Sequence, residues 1–234
     1  MEIRVFPTPD TIHTGDLDGC AAVVIDALRM TSTAAAAVAN GCVGLRAVQG
    51  VDEARACAAK TGALLGGERN ALAIEGFDFG NSPLEYTAER IGGHRLVMTT
   101  TNGTMAIQSA LSAGRLLLGA FVNAVSVAEA TLSAERMAII CAGTRGAFSL
   151  EDALAAGAII HRLKRLGAQI SLDDMALASL TLYKRAAGDL HRSLLPARHY
   201  NRLKEIGLQR DLDFCLSEDT LRAVPEMGED GWFV

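Results

Sequence analysis

Acids and cations recur together in four short polar segments of this chain. Together they could handle an anion with the help of a divalent ion. The segments are DALRMTST at 26–33, GGERNALAIEGFDFGNS at 66–82, TTTNGT at 99–104 and CAGTRGAFSLED at 141–152. Asp26 closes an apolar run, CAAVVID. A carboxylate at the end of a buried strand can hold a metal or act as a nucleophile. Arg29 carries a rigid fork of donors suited to phosphate or sulfonate oxygens. Thr31, Ser32 and Thr33 then open a helix whose N–H groups favour an anion. A purely structural role stands beside this: an Asp26–Arg29 ion pair, with hydroxyls that only cap.

The other segments add to the set. Asn102-Gly103 readily adopts positive φ, so Thr101, Asn102, Gly103 and Thr104 form either a nest of N–H donors or an ordinary capping turn. Glu68, Arg69 and Asp78 put two acids and a base in one loop, with Asn81 and Ser82 at its end. Arg145 lies in a glycine-flanked turn, and Glu151 and Asp152 begin a helix, where the dipole stabilises acids. The plain alternatives are a solvated loop and simple dipole capping. Taken together, Asp26, Glu68, Asp78, Glu151 and Asp152, set among Arg29, Arg69 and Arg145, fit a divalent ion plus an anionic substrate. Asp16-Leu17-Asp18-Gly19 has the spacing of a haloacid-dehalogenase-type nucleophile motif. The residues before it are poor strand formers, so a turn is expected. The histidines lie far apart without metal spacing and read as surface or core residues. No GxSxG, HExxH or GxGxxG motif occurs.

Elements must carry these residues. Apolar runs at 3–6, 20–26, 43–48, 63–65, 95–98, 115–118 and 136–141 read as strands. Helices are expected at 31–40, 51–60, 82–90, 104–111, 123–132 and 149–166. Ser82, Pro83 and Glu85 spell a capping box, as do Ser149 and Asp152. Beyond 166 the pattern turns helical, at 172–185 and 198–206, with a strand or turn at 212–216. This alternation implies an α/β fold: a three-layer α/β/α arrangement with a mostly parallel or mixed sheet and a helical C-terminal addition, one domain over 1–234. In such folds ligands bind beyond the carboxyl ends of the strands, where all four polar segments fall.

Composition narrows the partners. A net charge of −5 disfavours nucleic acid and membrane surfaces, which need a positive footprint. It leaves a small anion open, because local charge decides that case. Aromatic residues are only 5% of the chain, so few surfaces could stack a nucleotide. No apolar run is long enough to cross a bilayer, and the N-terminus lacks a signal-peptide pattern. The cysteines are scattered and odd in number, which suits reduced thiols and a cytoplasmic location. The sequence does not specify an oligomeric state, and a homodimer is favoured by base rate alone.

The segments VVIDALRMTSTAAAAVANG, LLGGERNALAIEGFDFGNSPLEY, TTTNGT and CAGTRGAFSLEDALAAGAI, in this order and spacing, resemble the motifs of the 2-phosphosulfolactate phosphatase family. The resemblance implies a magnesium-dependent phosphatase of α/β fold. It would release phosphate from (R)-2-phospho-3-sulfolactate to give 3-sulfolactate, a step in coenzyme M biosynthesis. On that expectation Mg²⁺ is held by Asp26 with Glu68 or Asp152. The base is Asp26, Asp78 or Glu151, and Asp26 is the first choice of nucleophile if a phospho-enzyme forms. Arg29, Arg69 and Arg145 would share the phosphate, carboxylate and sulfonate. Thr31, Ser32, Thr33, Asn81, Ser82 and the 101–104 turn would complete the substrate site. Two alternatives stand beside it: a phosphatase of another small phosphorylated carboxylic or sulfonic acid, and a non-catalytic sensor of such metabolites.

Overall fold

A strand such as AAVVI, with no polar break, is stable only where both faces of its sheet are covered. In the computed structural model, which describes residues 1–234, Ala21–Ile25 is buried throughout and sits second from the edge of a five-stranded sheet. The strands are β1 (Glu2–Phe6), β2 (Ala21–Ile25), β3 (Gly44–Ala47), β4 (Leu64–Arg69), β5 (Leu72–Ala73), β6 (Arg95–Thr99), β7 (Arg115–Gly119), β8 (Arg136–Cys141) and β9 (Ser171–Leu172). The helices are α1 (Met30–Ala39), α2 (Val51–Thr61), α3 (Ala88–Ile91), α4 (Gly103–Ser109), α5 (Ala124–Thr131), α6 (Leu150–Arg165), α7 (Asp174–Ala186), α8 (Leu190–Leu194), α9 (Arg198–Glu205) and α10 (Gln209–Cys215).

The strands divide between two sheets. One is wholly parallel, in the order β7-β2-β8-β1-β9. The other runs β3-β6-β4-β5, parallel except for the β4–β5 hairpin. Successive residues of a strand face opposite ways, and the core divides accordingly. Val23, Leu117 and Ile139 pack with Ile159 and Ile160 of α6 and with α5 and α7. Val24, Leu118 and Ile140 pack the other way, against Ala34 of α1, Ile107 of α4 and Leu45, Leu96 and Met98 of the second sheet. The far face of that sheet is closed by Val97 with Ala54 and Ala58 of α2 and with Trp232. Each sheet thus lies between helical layers, in keeping with the α/β/α class. Met30–Ala37 of α1 is buried all round. A helix without a polar face belongs inside, and its alanines let the two sheets approach it closely. No helix is long and apolar enough to cross a membrane.

Several local expectations are corrected. Residues 82–90 form a 3-10 turn, Pro83–Glu85, and then the short α3. Neither half of the expected box exists. The Ser82 hydroxyl donates to Asp211, and the Glu85 carboxylate accepts from the Gly80 N–H. Tyr86 pulls the chain inward by stacking on Phe79 at 4.6 Å between ring centroids. Likewise Ser149 precedes α6 without capping it, and Asp152 bonds elsewhere. Residues 212–216 lie at the end of α10 rather than in a strand, and α8 was not anticipated. Asp16 sits in a turn, where it accepts from the His13 N–H and from Arg4.

The tightest helix contact is between α6 and α7, and one residue sets it. A Cβ on Gly157 would fall 2.1 Å from the Ser179 carbonyl oxygen and 2.6 Å from the Tyr183 Cβ. Helix propensity alone favours alanine over glycine by about 1 kcal/mol. Here overpacking reverses the sign, so Gly157→Ala is expected to destabilise the protein by roughly 1–3 kcal/mol in urea denaturation.

Candidate active site

The carboxyl ends of β2, β4, β6 and β8 open into one cleft of about 1040 Å³. The turns leaving these strands are the four polar segments. Asp26 directly follows β2, Glu68 lies near the end of β4, the 101–102 turn follows β6, and Glu151 begins the helix after β8. All three acids line the cleft although they are only 8%, 7% and 2% exposed. Asp152 stands behind them at 2% exposure and does not line it.

Backbone donors hold two of these acids. Glu68 accepts from the Ala71 N–H at 2.6 Å and the Thr101 N–H at 2.7 Å. Asp152 accepts from the Ala27 N–H at 2.9 Å and the Gly143 N–H at 3.0 Å, which ties together the turns after β2 and β8. Glu151 accepts from the Ser149 hydroxyl at 3.0 Å. Gly103 lets its turn close on the site, since a Cβ there would stand 2.6 Å from the Asp26 Oδ2.

None of the four acids makes an ion pair. Burial pushes the Asp26 carboxyl up to about 6, against an opposing pull from His199, and the like charges of Glu68 and Glu151 add smaller upward pushes. Burial, then Asp26 and Glu151, push Asp152 well above the usual range. A metal ion would relieve this strain. No three His, Cys, Asp or Glu groups converge into a closed cage. Magnesium needs none, because it binds through one or two carboxylates and takes its remaining oxygens from water and phosphate. Asp26, Glu68 and Glu151 fit that pattern. Asp152 does not, because it stands behind the cleft and does not line it.

The structure separates the sequence candidates. Asn81, Thr101, Asn102 and Arg145 line the cleft. The Oδ1 of Asn81 and the hydroxyl of Thr101 are buried there without a hydrogen-bond partner. Arg145 is exposed, and its guanidinium donates to Asn70 at 3.0 Å. Arg29 also lines the cleft, but its partner is Asp211 of α10 rather than Asp26, and it is 4% exposed.

Other candidates are placed away from any ligand. Thr31, Ser32 and Thr33 are fully buried: Thr31 accepts from the Asp26 N–H, Ser32 donates to the Ala27 carbonyl and Thr33 to the Asn81 carbonyl. Thr104 is buried and donates to the Thr100 carbonyl. Ser82 is engaged by Asp211. Arg69 donates to the Glu68 and Gln49 carbonyls and to Thr99, clamping strand ends instead of facing the cleft. Asp78 is exposed outside the cleft, where it accepts from the Leu65 N–H and closes its own loop.

Sequence reasoning missed one wall of the cleft. Arg198, His199 and Arg202 of α9 line the cleft, and His199 Nε2–H donates to the Leu28 carbonyl at 2.8 Å. The only available signal was a basic RHYNR run on a helical segment, with nothing local to aim it at a distant loop.

Comparison with known proteins follows this geometry. The family model for 2-phosphosulpholactate phosphatase matches residues 6–230. The chain is 45% identical to the probable 2-phosphosulfolactate phosphatase of Caldicellulosiruptor saccharolyticus, covering 97% of this chain and 96% of that one. It is 41% identical to the protein of the same name from Clostridium novyi, over 97% of each chain. With its namesake from Gloeobacter violaceus it shares 39% identity, over 100% of this chain and 98% of that one.

Two measurements check the electrostatics. The folded protein takes up protons that the unfolded chain does not, because Asp26 and Asp152 titrate high. That contribution to stability is complete below the ordinary carboxylate range and is lost as pH rises through about 6. The metal-free protein should therefore be more stable at pH 5 than at pH 7, by on the order of 2 kcal/mol. Thermal melting in EDTA at the two pH values reads this directly. Separately, Asp211→Ala strands the buried Arg29 guanidinium and should cost roughly 3–5 kcal/mol in chemical denaturation.

Proposed function

The chain belongs to the 2-phosphosulpholactate phosphatase family, and on that premise we propose that it hydrolyses (R)-2-phospho-3-sulfolactate to 3-sulfolactate and phosphate with the help of Mg²⁺. The observation that carries the metal and the reaction is the unpaired acid wall. Asp26, Glu68 and Glu151 are buried together, face one cleft and form no ion pair. A binding protein for an anion gains nothing from such a wall, whereas a phosphatase uses it to hold a divalent ion.

Asp26, with Glu68, would hold the magnesium ion, whose charge, when it is bound, offsets that of the phosphate oxygens as the ester bond breaks. Glu151 is the base for the attacking water. Its Oε1 is fixed by Ser149, which in turn shares a hydrogen bond with Thr144 at 3.0 Å. That chain orients the carboxylate and leaves its second oxygen for the water proton. Asn81 and Thr101 supply the unpartnered polar atoms that orient the ester. Arg145 adds a cation at the exposed lip, where its N–H is fixed by Asn102 Oδ1 at 3.0 Å. Asp152 and Arg29 act by positioning: one joins the turns after β2 and β8, the other braces the cleft floor against α10.

The same reading makes this a step of coenzyme M biosynthesis in the cytoplasm. The free state of all five cysteines is compatible with a reducing compartment.

Phosphate release from racemic 2-phospho-3-sulfolactate should require Mg²⁺ and stop with EDTA. Asp26→Asn should lower kcat by more than about 10²-fold, since several kcal/mol of charge stabilisation goes with the ligand. Its melting temperature at pH 7 should hold or rise, because a buried repulsive charge has been removed. Release that is unaffected by EDTA would sink the metal assignment. An unfolded Asp26→Asn protein would show that the residue serves the fold.

A further inference from the structure

The cleft has two unlike walls. One is the acid wall of Asp26, Glu68 and Glu151. The other is α9, where Arg198 and Arg202 stand four residues apart and so share a helix face. Tyr200 and Leu203 anchor the helix on its buried side. Both arginines line the cleft, both are exposed, and neither forms an ion pair. The position of α9 is fixed twice. His199 bonds to the Leu28 carbonyl, two residues beyond Asp26, and the next helix delivers Asp211 to Arg29. Helix α9 is thus held at the cleft, and both of its arginines line it.

We infer that Arg198 and Arg202 form the subsite for the substrate's second anionic end, the sulfonate or carboxylate carried beside the phosphate ester. The inference rests on the phosphatase reading and adds to it the group that selects the substrate. Such a molecule presents two anions. The phosphate can approach the acid wall because a divalent ion bridges them. The other end has no such bridge and is repelled there. Two of the cations first expected at the site are committed, Arg29 to Asp211 and Arg69 to strand-end carbonyls, and Arg145 stands at the lip bonded to Asn70. Glu205, on the same face of α9, is an acid that bounds the basic patch and confines the anion to the two arginines. Forked guanidinium donors match the several oxygens of a sulfonate or carboxylate better than point charges do.

The test is the double variant Arg198→Ala/Arg202→Ala in the full chain, with calorimetric binding of three probes in Mg²⁺: 3-sulfolactate, lactate and inorganic phosphate. Affinity for 3-sulfolactate should fall by at least about 10-fold, while that for phosphate changes less than about twofold. In turnover, KM for phosphosulfolactate should rise far more than kcat falls. Arg198→Lys/Arg202→Lys should recover part of the loss, because charge returns without the fork. Lactate affinity that falls in parallel with that of 3-sulfolactate assigns the subsite to the carboxylate. Lactate affinity that stays unchanged assigns it to the sulfonate. Equal losses for phosphate and 3-sulfolactate, an unchanged 3-sulfolactate affinity, or no 3-sulfolactate binding by the unaltered protein would overturn the inference. Arginine-dependent 3-sulfolactate binding without any phosphate release would instead overturn the enzyme reading and leave the subsite standing. Both side chains are exposed, so an unchanged melting curve should confirm that the variants fold.

Discussion

Four carboxyl groups, Asp26, Glu68, Glu151 and Asp152, are buried together, close enough that burial and their neighbours raise the proton affinity of Asp26 and Asp152, and none of the four forms an ion pair. Removing a carboxylate from water is costly, and placing a second beside it adds repulsion. The fold meets that cost with main-chain dipoles. N–H groups of Ala27, Ala71, Thr101 and Gly143 point at Glu68 and Asp152. Those donors belong to turns that follow four different strands. The bonds that make the acids tolerable are therefore also the bonds that lock the four turns around one cleft.

This arrangement needs two sheets whose strand ends open on the same side. The buried, alanine-rich α1 makes it possible, since it lies between the sheets without side chains bulky enough to spread them. Gly103 does the same at finer scale by letting its turn approach Asp26. The C-terminal helices are then more than an addition to the sheet. Asp211 bonds both Arg29 and Ser82, so α10 joins the turn after β2 to the loop after β5. Helix α9 supplies the basic wall. The site is built from both ends of the chain.

Expectations from sequence succeeded where local pattern and burial agree. The run at 136–141 is β8, and the four polar segments do surround one cleft, because a strand covered on both faces must be apolar and its polar exit marks the rim. They failed where a polar side chain had a choice of partner. Ser82 and Asp152 have the right spacing for capping boxes. Ser82 instead bonds a residue 129 positions away, and Asp152 a residue 125 positions away. A local cap and a distant partner compete for the same oxygen, and only the packed fold says which is nearer. Arg29 illustrates the same point, since its charge was legible and its partner was not.

The amino-acid sequence by itself determined the strand and helix alternation, the identity of the acid-bearing turns and the resemblance that named the family, because each is written in residues adjacent along the chain. Tertiary structure alone decided which acids face the cleft and which stand behind it, why Arg69 and Asp78 serve their own strands and loops, and how α9 comes to line the cleft. The facing of the acids and the place of α9 depend on distances between segments more than a hundred residues apart. Hydrogen bonds and burial set such distances only after the two sheets have closed on α1.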